Sequence, residues 1–321
     1  MNLDYIEITK FLNKDSISFQ YLERNAIYPN ATRYYFNGCN KLEVWHNENL
    51  KQINVKGSIP YFLNGHNFYS SYEDWKEGFD YLNGCLQTNL YTGIVNSFEF
   101  GTIQEIPCSE NEFLHNHIKA QGMQAREFRK GNVLTGKQFE NSSLRLKIYD
   151  VSRNIKHKLE KGIQEDISRL HGWNREKHYI KIEAHYKKPE AHFQGNIHLS
   201  QLLSIEFQEG LKNDLLHQYQ RIMKTGKTII PQSKADINAG TIPLIILKEL
   251  EAVFGFEAEK LIKDKLKTIP EDILSPNDRK ARLRTIRENL KKITLAGNSE
   301  YDISEMLKAK IQEAIFNHRI N

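Results

Sequence analysis

Leu144-Arg145-Leu146-Lys147-Ile148-Tyr149 and Ile180-Lys181-Ile182-Glu183-Ala184-His185-Tyr186 are the two stretches that decide the fold. Successive side chains of a strand point to opposite faces, so each stretch reads as a strand with one apolar and one polar side. In the first, Leu144, Leu146 and Ile148 oppose Arg145, Lys147 and Tyr149. In the second, Ile180, Ile182, Ala184 and Tyr186 oppose Lys181, Glu183 and His185. The charged stretch between them, about 151 to 172, reads as a helix ending near Gly172.

Working upstream, residues 92 to 106 read as β. Ser109 to about Gln121 reads as a helix, with Phe113 and Ile118 as core contacts. Ser70 to about Leu86 reads as another helix. Ser70 and Glu73 fit a capping box there, and Trp75, Phe79 and Leu82 recur at helical spacing. Residues 31 to 69 read as β, with runs at Thr32–Phe36, Lys41–His46 and Gln52–Val55 broken by Asn-rich turns. Downstream of Pro189 the character changes. Residues 199 to 225, 241 to 268 and 277 to 295 read as helices, and Gly226, Pro231, Gly240, Pro270 and Pro276 punctuate the linkers. The expected fold is α+β: a mostly antiparallel central sheet with helices on one face, then a helical C-terminal region. The expected division is 1–195 and 196–321.

Composition narrows the class. The 321 residues suffice to bury a core, and 39% hydrophobic against 26% charged residues is a globular balance. A net charge of +5 permits a nucleic-acid partner without demanding one. Cys39, Cys85 and Cys108 are far apart and form no C-x-x-C, so they read as reduced thiols. No apolar run is long enough to span a membrane, and Met1-Asn2-Leu3-Asp4-Tyr5 lacks the pattern of a signal peptide. A cytoplasmic protein is expected.

The polar strand faces carry the chemistry. A tyrosine beside cations sits in a positive field that could favour its phenolate and hold a phosphate against it. Glu183 and His185 share one face and could ligate one divalent ion. Glu99, in the largely apolar run Ile94-Val95-Asn96-Ser97-Phe98-Glu99-Phe100, needs a partner or faces a site. The bland reading of each is a solvated sheet face.

The order of these segments resembles the gene II/X replication proteins of filamentous phages and related plasmids, and more distantly the plasmid Rep-trans initiators. Asn96-Ser97-Phe98-Glu99, Lys147-Ile148-Tyr149-Asp150 and Lys181-Ile182-Glu183 stand where those families have "S-R-I-D", "Y-x-K" and "R-x-E" strands. The stretch from Val55 to Asn67 is similar to their "G-S-L-x-K-x-x-x-G-x-N" segment. The resemblance spans roughly residues 30 to 195. It implies a metal-dependent nicking enzyme that acts at a replication origin and leaves a 5′ phosphotyrosine and a 3′ hydroxyl for rolling-circle synthesis. Tyr149 would be the nucleophile, with Lys147, Arg145 and Lys181 around it. Glu99 and Glu183 would hold Mg²⁺ or Mn²⁺, and strand geometry adds His185. Origin DNA, a host helicase and polymerase, and a second copy of the chain are the partners implied. The chain departs from the pattern in three places. Val151 stands where a lysine follows the tyrosine by two, leaving Arg153, Lys156 or Lys147 to substitute. Lys181 replaces an arginine, and Glu99 an aspartate.

Other signals are weaker. His115-Asn116-His117 has the wrong middle residue for a His-hydrophobe-His metal motif. Thr225-Gly226-Lys227-Thr228 lacks the first glycine of a phosphate loop, and His192 and His198 lack partner spacing. The helix from Asn277 carries Arg279, Lys280, Arg282, Arg284, Arg287 and Lys291 and reads as a contact to duplex phosphates or as a solvated face. The competing readings are a mobilisation relaxase with the same chemistry, a non-catalytic DNA-binding regulator, and an interaction protein whose polar strand faces are merely wet.

Overall fold

The computed structural model of the chain describes residues 2–12, 16–37, 39–68, 70–224, 240, 242–247, 258–294 and 301–320. Its strands are β1 (Asn2–Phe11), β2 (Leu22–Tyr28), β3 (Ala31–Phe36), β4 (Cys39–Asn47), β5 (Gln52–Ser58), β6 (Ile94–Ile106), β7 (His117–Ala120), β8 (Gln124–Lys130), β9 (Val133–Glu140), β10 (Leu144–Asp150), β11 (His178–Tyr186) and β12 (Ile222–Lys224). Ten of them form one sheet in the order β2-β3-β4-β5-β1-β6-β11-β10-β9-β8, and β7 pairs with β12. Every pairing in the large sheet is antiparallel. The fold is α+β, with helices in the C-terminal region.

Alternation decides which face is core. Ile6, Ile8, Val44, Val55, Phe98, Phe100, Leu146, Ile148 and Ile182 are fully buried or nearly so. They pack on helix α2 (Tyr72–Leu86) through Trp75, Phe79 and Leu82, and on helix Ile205–Gln220 through Leu211, Leu215 and Tyr219. Ile303 and Leu307 join the same cluster, so the core continues across residue 195. A smaller cluster sets helices α4 (Val151–Lys158) and α5 (Lys161–His171) against Ile103, Tyr149 and Tyr179, beside the polar face.

Local structure departs from the sequence reading in several places. Ile59–Asn64, read as β, is a short helix, α1. Ser58 caps it, Pro60 sits in its first turn and Gly65 closes it at φ 71°. The capping box of α2 is Ser71 with Asp74, not Ser70 with Glu73; Ser70 is buried and accepts from the Trp75 indole. The helix expected over Ser109–Gln121 is the shorter α3 (Glu110–His115), and His117 opens β7. The cause is tertiary: β12 pairs with β7, and the buried His117 ring reaches Tyr219 at 2.9 Å. The helix expected over 151–172 is two helices, α4 and α5, separated at Leu159 and Glu160. The sequence reading assigns no strand to β1, β2, β8 or β9. Residues 241 and 248–257 of the helical stretch expected over 241–268, the loop Thr225–Thr228, and the linkers Gly226 and Pro231 lie outside the described residues. No helix among the described residues is long and apolar enough to cross a membrane.

Candidate active site

The polar faces of β1, β6, β10 and β11 meet at the middle of the sheet. Register does most of the placing: Lys147 stands opposite Glu183, Tyr149 opposite Lys181, and His185 opposite Glu99. Gly101 faces Glu183 from the other neighbour. A Cβ there would lie 2.5 Å from the Ile182 carbonyl oxygen and 2.8 Å from the Glu183 Cβ, so only glycine fits.

A bulge adds a residue that strand periodicity hides. Leu3 pairs with Phe100 and Ile6 with Phe98, which leaves Asp4 and Tyr5 together opposite Glu99. Two residues against one turn both side chains toward the same face. Asp4 and Tyr5 thereby line a cavity of about 510 Å³ with Tyr61, Glu99, Tyr149 and Glu183. The segment from Gly57 to Asn67 holds Asp4 in place. Ser58 Oγ donates to Asp4 Oδ1 at 3.1 Å, and Asn67 Nδ2 donates to Oδ2 at 2.6 Å. The G-S…G-x-N run noticed in the sequence therefore acts as a carboxylate cradle.

Two lysines, Lys181 buried and Lys147 half-buried, knit the acids together. Lys147 Nζ lies 3.1 Å from Glu99 Oε1 and 2.9 Å from Glu183 Oε1. Lys181 pairs with Asp4 and lies 3.4 Å from Glu183 Oε2. The Tyr149 hydroxyl donates to Glu183 Oε2 at 3.0 Å. His185 Nδ1 is 3.2 Å from Glu99 Oε1 but outside hydrogen-bonding geometry, and its ring tilts against Tyr5. Three carboxylates against two ammonium groups leave one net negative charge.

Electrostatics follow from this packing. Burial works against the Glu99 carboxylate, but His185 and Lys147 outweigh it and bring its pKa down to about 2. Burial also opposes the Lys181 ammonium, yet Asp4 and Glu183 hold its pKa well above the ordinary lysine range. Tyr149 goes the other way from the sequence expectation. Burial pushes its phenol well above 10; Lys181 opposes this, while Glu183 and Asp4 add to it. The tyrosine is a neutral donor here, not a phenolate, because it is buried and its hydroxyl meets an anion.

Asp4, Glu99 and Glu183 each offer an oxygen within 4.8 Å of the others. An all-oxygen donor set with net negative charge fits a hard divalent cation. The converging set thus contains Glu99 and Glu183 as expected. Its third member is Asp4, whereas His185 contacts Glu99 and is not among the three converging groups. Arg145 shares the face but turns to Glu140, with Nε to Oε2 at 3.0 Å, and is not in the cluster. At the position of the missing lysine Val151 is buried; of the three substitutes, Arg153 lies in the first turn of α4 with its backbone N–H on Asp150, Lys156 donates to the Arg175 carbonyl, and Lys147 reaches the carboxylates. Two larger clefts, of about 770 and 640 Å³, contain none of these side chains.

On the helix Pro276–Thr294, Lys280, Arg282, Arg284 and Arg287 are exposed. Arg279 instead turns inward and donates to the Ile269 carbonyl. The Lys291 side chain lies outside the described residues. His117, dismissed as a ligand, is fully buried; its Nδ1 donates to the Phe113 carbonyl at 2.8 Å and its Nε2 meets the Tyr219 hydroxyl at 2.9 Å. Comparison of the chain with protein-family models, with curated proteins and with solved structures finds no match.

Proposed function

We propose that this chain nicks DNA through Tyr149 and initiates rolling-circle replication. One observation carries the reading: the tyrosine and the two glutamates picked out along the sequence line a single pocket on the sheet together with Asp4, and the two lysines pair with its carboxylates. Solvated strand faces have no reason to gather buried charges in this way, since unpaired burial is costly.

In this reading the Tyr149 oxygen attacks a phosphodiester phosphorus. Glu183, whose Oε2 already accepts the phenol proton at 3.0 Å, takes that proton. A base in contact matters because the hydroxyl does not ionise by itself at neutral pH. The bond from phosphorus to the 3′ oxygen breaks, the departing oxygen picks up one proton, and a 5′ phosphotyrosine remains. Lys147 and Lys181 offset the charge that develops on the phosphate oxygens. Asp4, Glu99 and Glu183 would hold Mg²⁺ or Mn²⁺, which when bound supplies Lewis-acid stabilisation of that charge. The freed 3′ hydroxyl would then serve a host helicase and polymerase.

The test is nicking of supercoiled DNA carrying the cognate origin, with Mg²⁺ or Mn²⁺. Wild type is expected to give open circles with a covalent protein adduct, and Tyr149→Phe none. Normal nicking by Tyr149→Phe would sink the assignment of the nucleophile. An inert wild type on a verified origin would favour the DNA-binding regulator.

A further inference from the structure

The polar face does not end at the cavity. It runs outward over β5, β4, β3 and β2, because Lys56 pairs with Glu43, Asn54 with Trp45, and Trp45 with Arg33 in register. The side chains there include three aromatic rings and two cations in mutual contact. The Tyr28 and Trp45 rings stack with centroids 5.1 Å apart at 26°. The Arg33 guanidinium lies 5.5 Å from the Trp45 centroid, 5.5 Å from Tyr35 and 5.9 Å from Tyr28. Lys56 Nζ sits 4.8 Å from the Trp45 centroid.

Glu43 is held by the Trp45 indole at 2.8 Å and by Lys56 at 3.5 Å. Arg33 donates only to the neutral Asn25 side chain and, among the described residues, has no carboxylate in ion-pair range. These side chains remain half-exposed, and Tyr28 is 41% exposed. Packing inside a core does not call for an unpaired guanidinium among wet rings. Unpaired bases do, since each presents a flat face for stacking and a phosphate for the cation.

We propose that the β2–β5 half of the sheet is a platform for single-stranded nucleic acid, with Trp45 as its stacking centre and Arg33 as its phosphate contact. Lys56 and Glu43 belong both to this patch and to the lining of the acidic cavity, so a strand on the platform runs directly into the site. Trp45 on β4 and Tyr149 on β10 are five strand spacings apart, about 24 Å. The biological sense of the platform rests on the nicking reading; its test does not. A glycan could also stack on Trp45, but it would leave Arg33 without a counter-charge.

The chain has three tryptophans, and Trp75 and Trp173 are 1% and 5% exposed, so a base stacking on the surface is reported by Trp45. Tyr149→Phe is titrated with oligothymidylate long enough to span the distance, without divalent metal, while tryptophan emission is followed. Saturable quenching is expected, weakening with salt, and a duplex of equal length should quench less. Trp45→Ala should bind the oligonucleotide about tenfold more weakly or worse by anisotropy, and Trp45→Phe should recover part of the loss. Arg33→Gln should lower both the affinity and the salt dependence. Absence of quenching, equal quenching by duplex, or unchanged binding by Trp45→Ala would each overturn the platform. Wild type that nicks without quenching would sink the platform alone, and quenching without nicking would sink the nicking reading alone.

Discussion

The polar face of the central sheet and the helix Pro276–Thr294 both gather cations, and they differ in where those cations stand. The Lys181 side chain is 5% exposed and the Arg284 side chain 83%. Lys147 and Lys181 each touch two carboxylates. On the helix, Arg284 meets Glu288 one turn on, and Arg287 meets Glu259 of the helix Ala258–Thr268. A buried charge costs several kcal/mol unless it is paired, whereas an exposed pair contributes about 1 kcal/mol or less. Similar residue types thus do different things. The buried set fixes a geometry, which is what chemistry on a phosphate needs. The exposed set supplies a field that needs no fixed geometry and weakens with salt.

The sharpest way to break this contrast is Lys181→Met. It leaves Asp4 and Glu183 buried without their shared counter-ion and should cost about 3–5 kcal/mol in urea unfolding. A loss no larger than that of an exposed lysine would show that the cluster is wet rather than buried.

A buried imidazole away from both regions gives a second gauge. Burial, with Lys224 and Lys137 nearby, brings the His117 pKa from 6.5 to about 3 against the pull of the Phe113 carbonyl. The folded pKa lies below the unfolded one, so His117 costs nothing above pH 6.5. As the pH falls from 6.5 toward 3, the unfolded chain gains the proton first and stability drops. At pH 4.5 the loss should be on the order of 2–3 kcal/mol. In NMR the ring should remain neutral at that pH in the folded chain; protonation already at pH 5 would contradict the burial.

Gly101→Ala is the next smaller effect. Its Cβ would meet the Ile182 carbonyl oxygen at 2.5 Å and push on Glu183. About 1–3 kcal/mol of destabilisation is expected, as for other overpacked sites, together with weaker Mn²⁺ binding. Normal Mn²⁺ binding would show that Glu183 can shift without consequence. The smallest effect belongs to the exposed helix. Arg284→Ala should change stability by about 0.5 kcal/mol or less while lowering the salt slope of duplex binding by roughly one. An unchanged slope would return that helix to a solvated face.

Much of the site was legible because β10 and β11 alternate strictly, so Lys147, Tyr149, Lys181 and Glu183 could be assigned to one face from spacing alone. Glu99 stood out as a carboxylate in an apolar run. Asp4 was not legible. It lies in phase with Ile6 and Ile8, so simple alternation puts it in the core, and the only hint was an acid at a core position. The bulge opposite Glu99 reverses that placement, and a bulge is a property of two strands together. Tyr149 was read as a phenolate because Arg145 and Lys147 neighbour it along the strand. Across strands its hydroxyl meets Glu183, while Arg145 is drawn off by Glu140.

The sequence by itself determined the α+β class, the faces of the two central strands and most of the chemistry-bearing side chains, because these follow from periods of two and of about 3.6 along a chain. The tertiary structure alone decided that Asp4 completes the carboxylate set, that His117 ends a helix to meet β12, and that the core passes from the sheet into the C-terminal helices. Each of these depends on contacts between residues about 100 or more positions apart, or on a register between strands, and local periodicity carries no record of either.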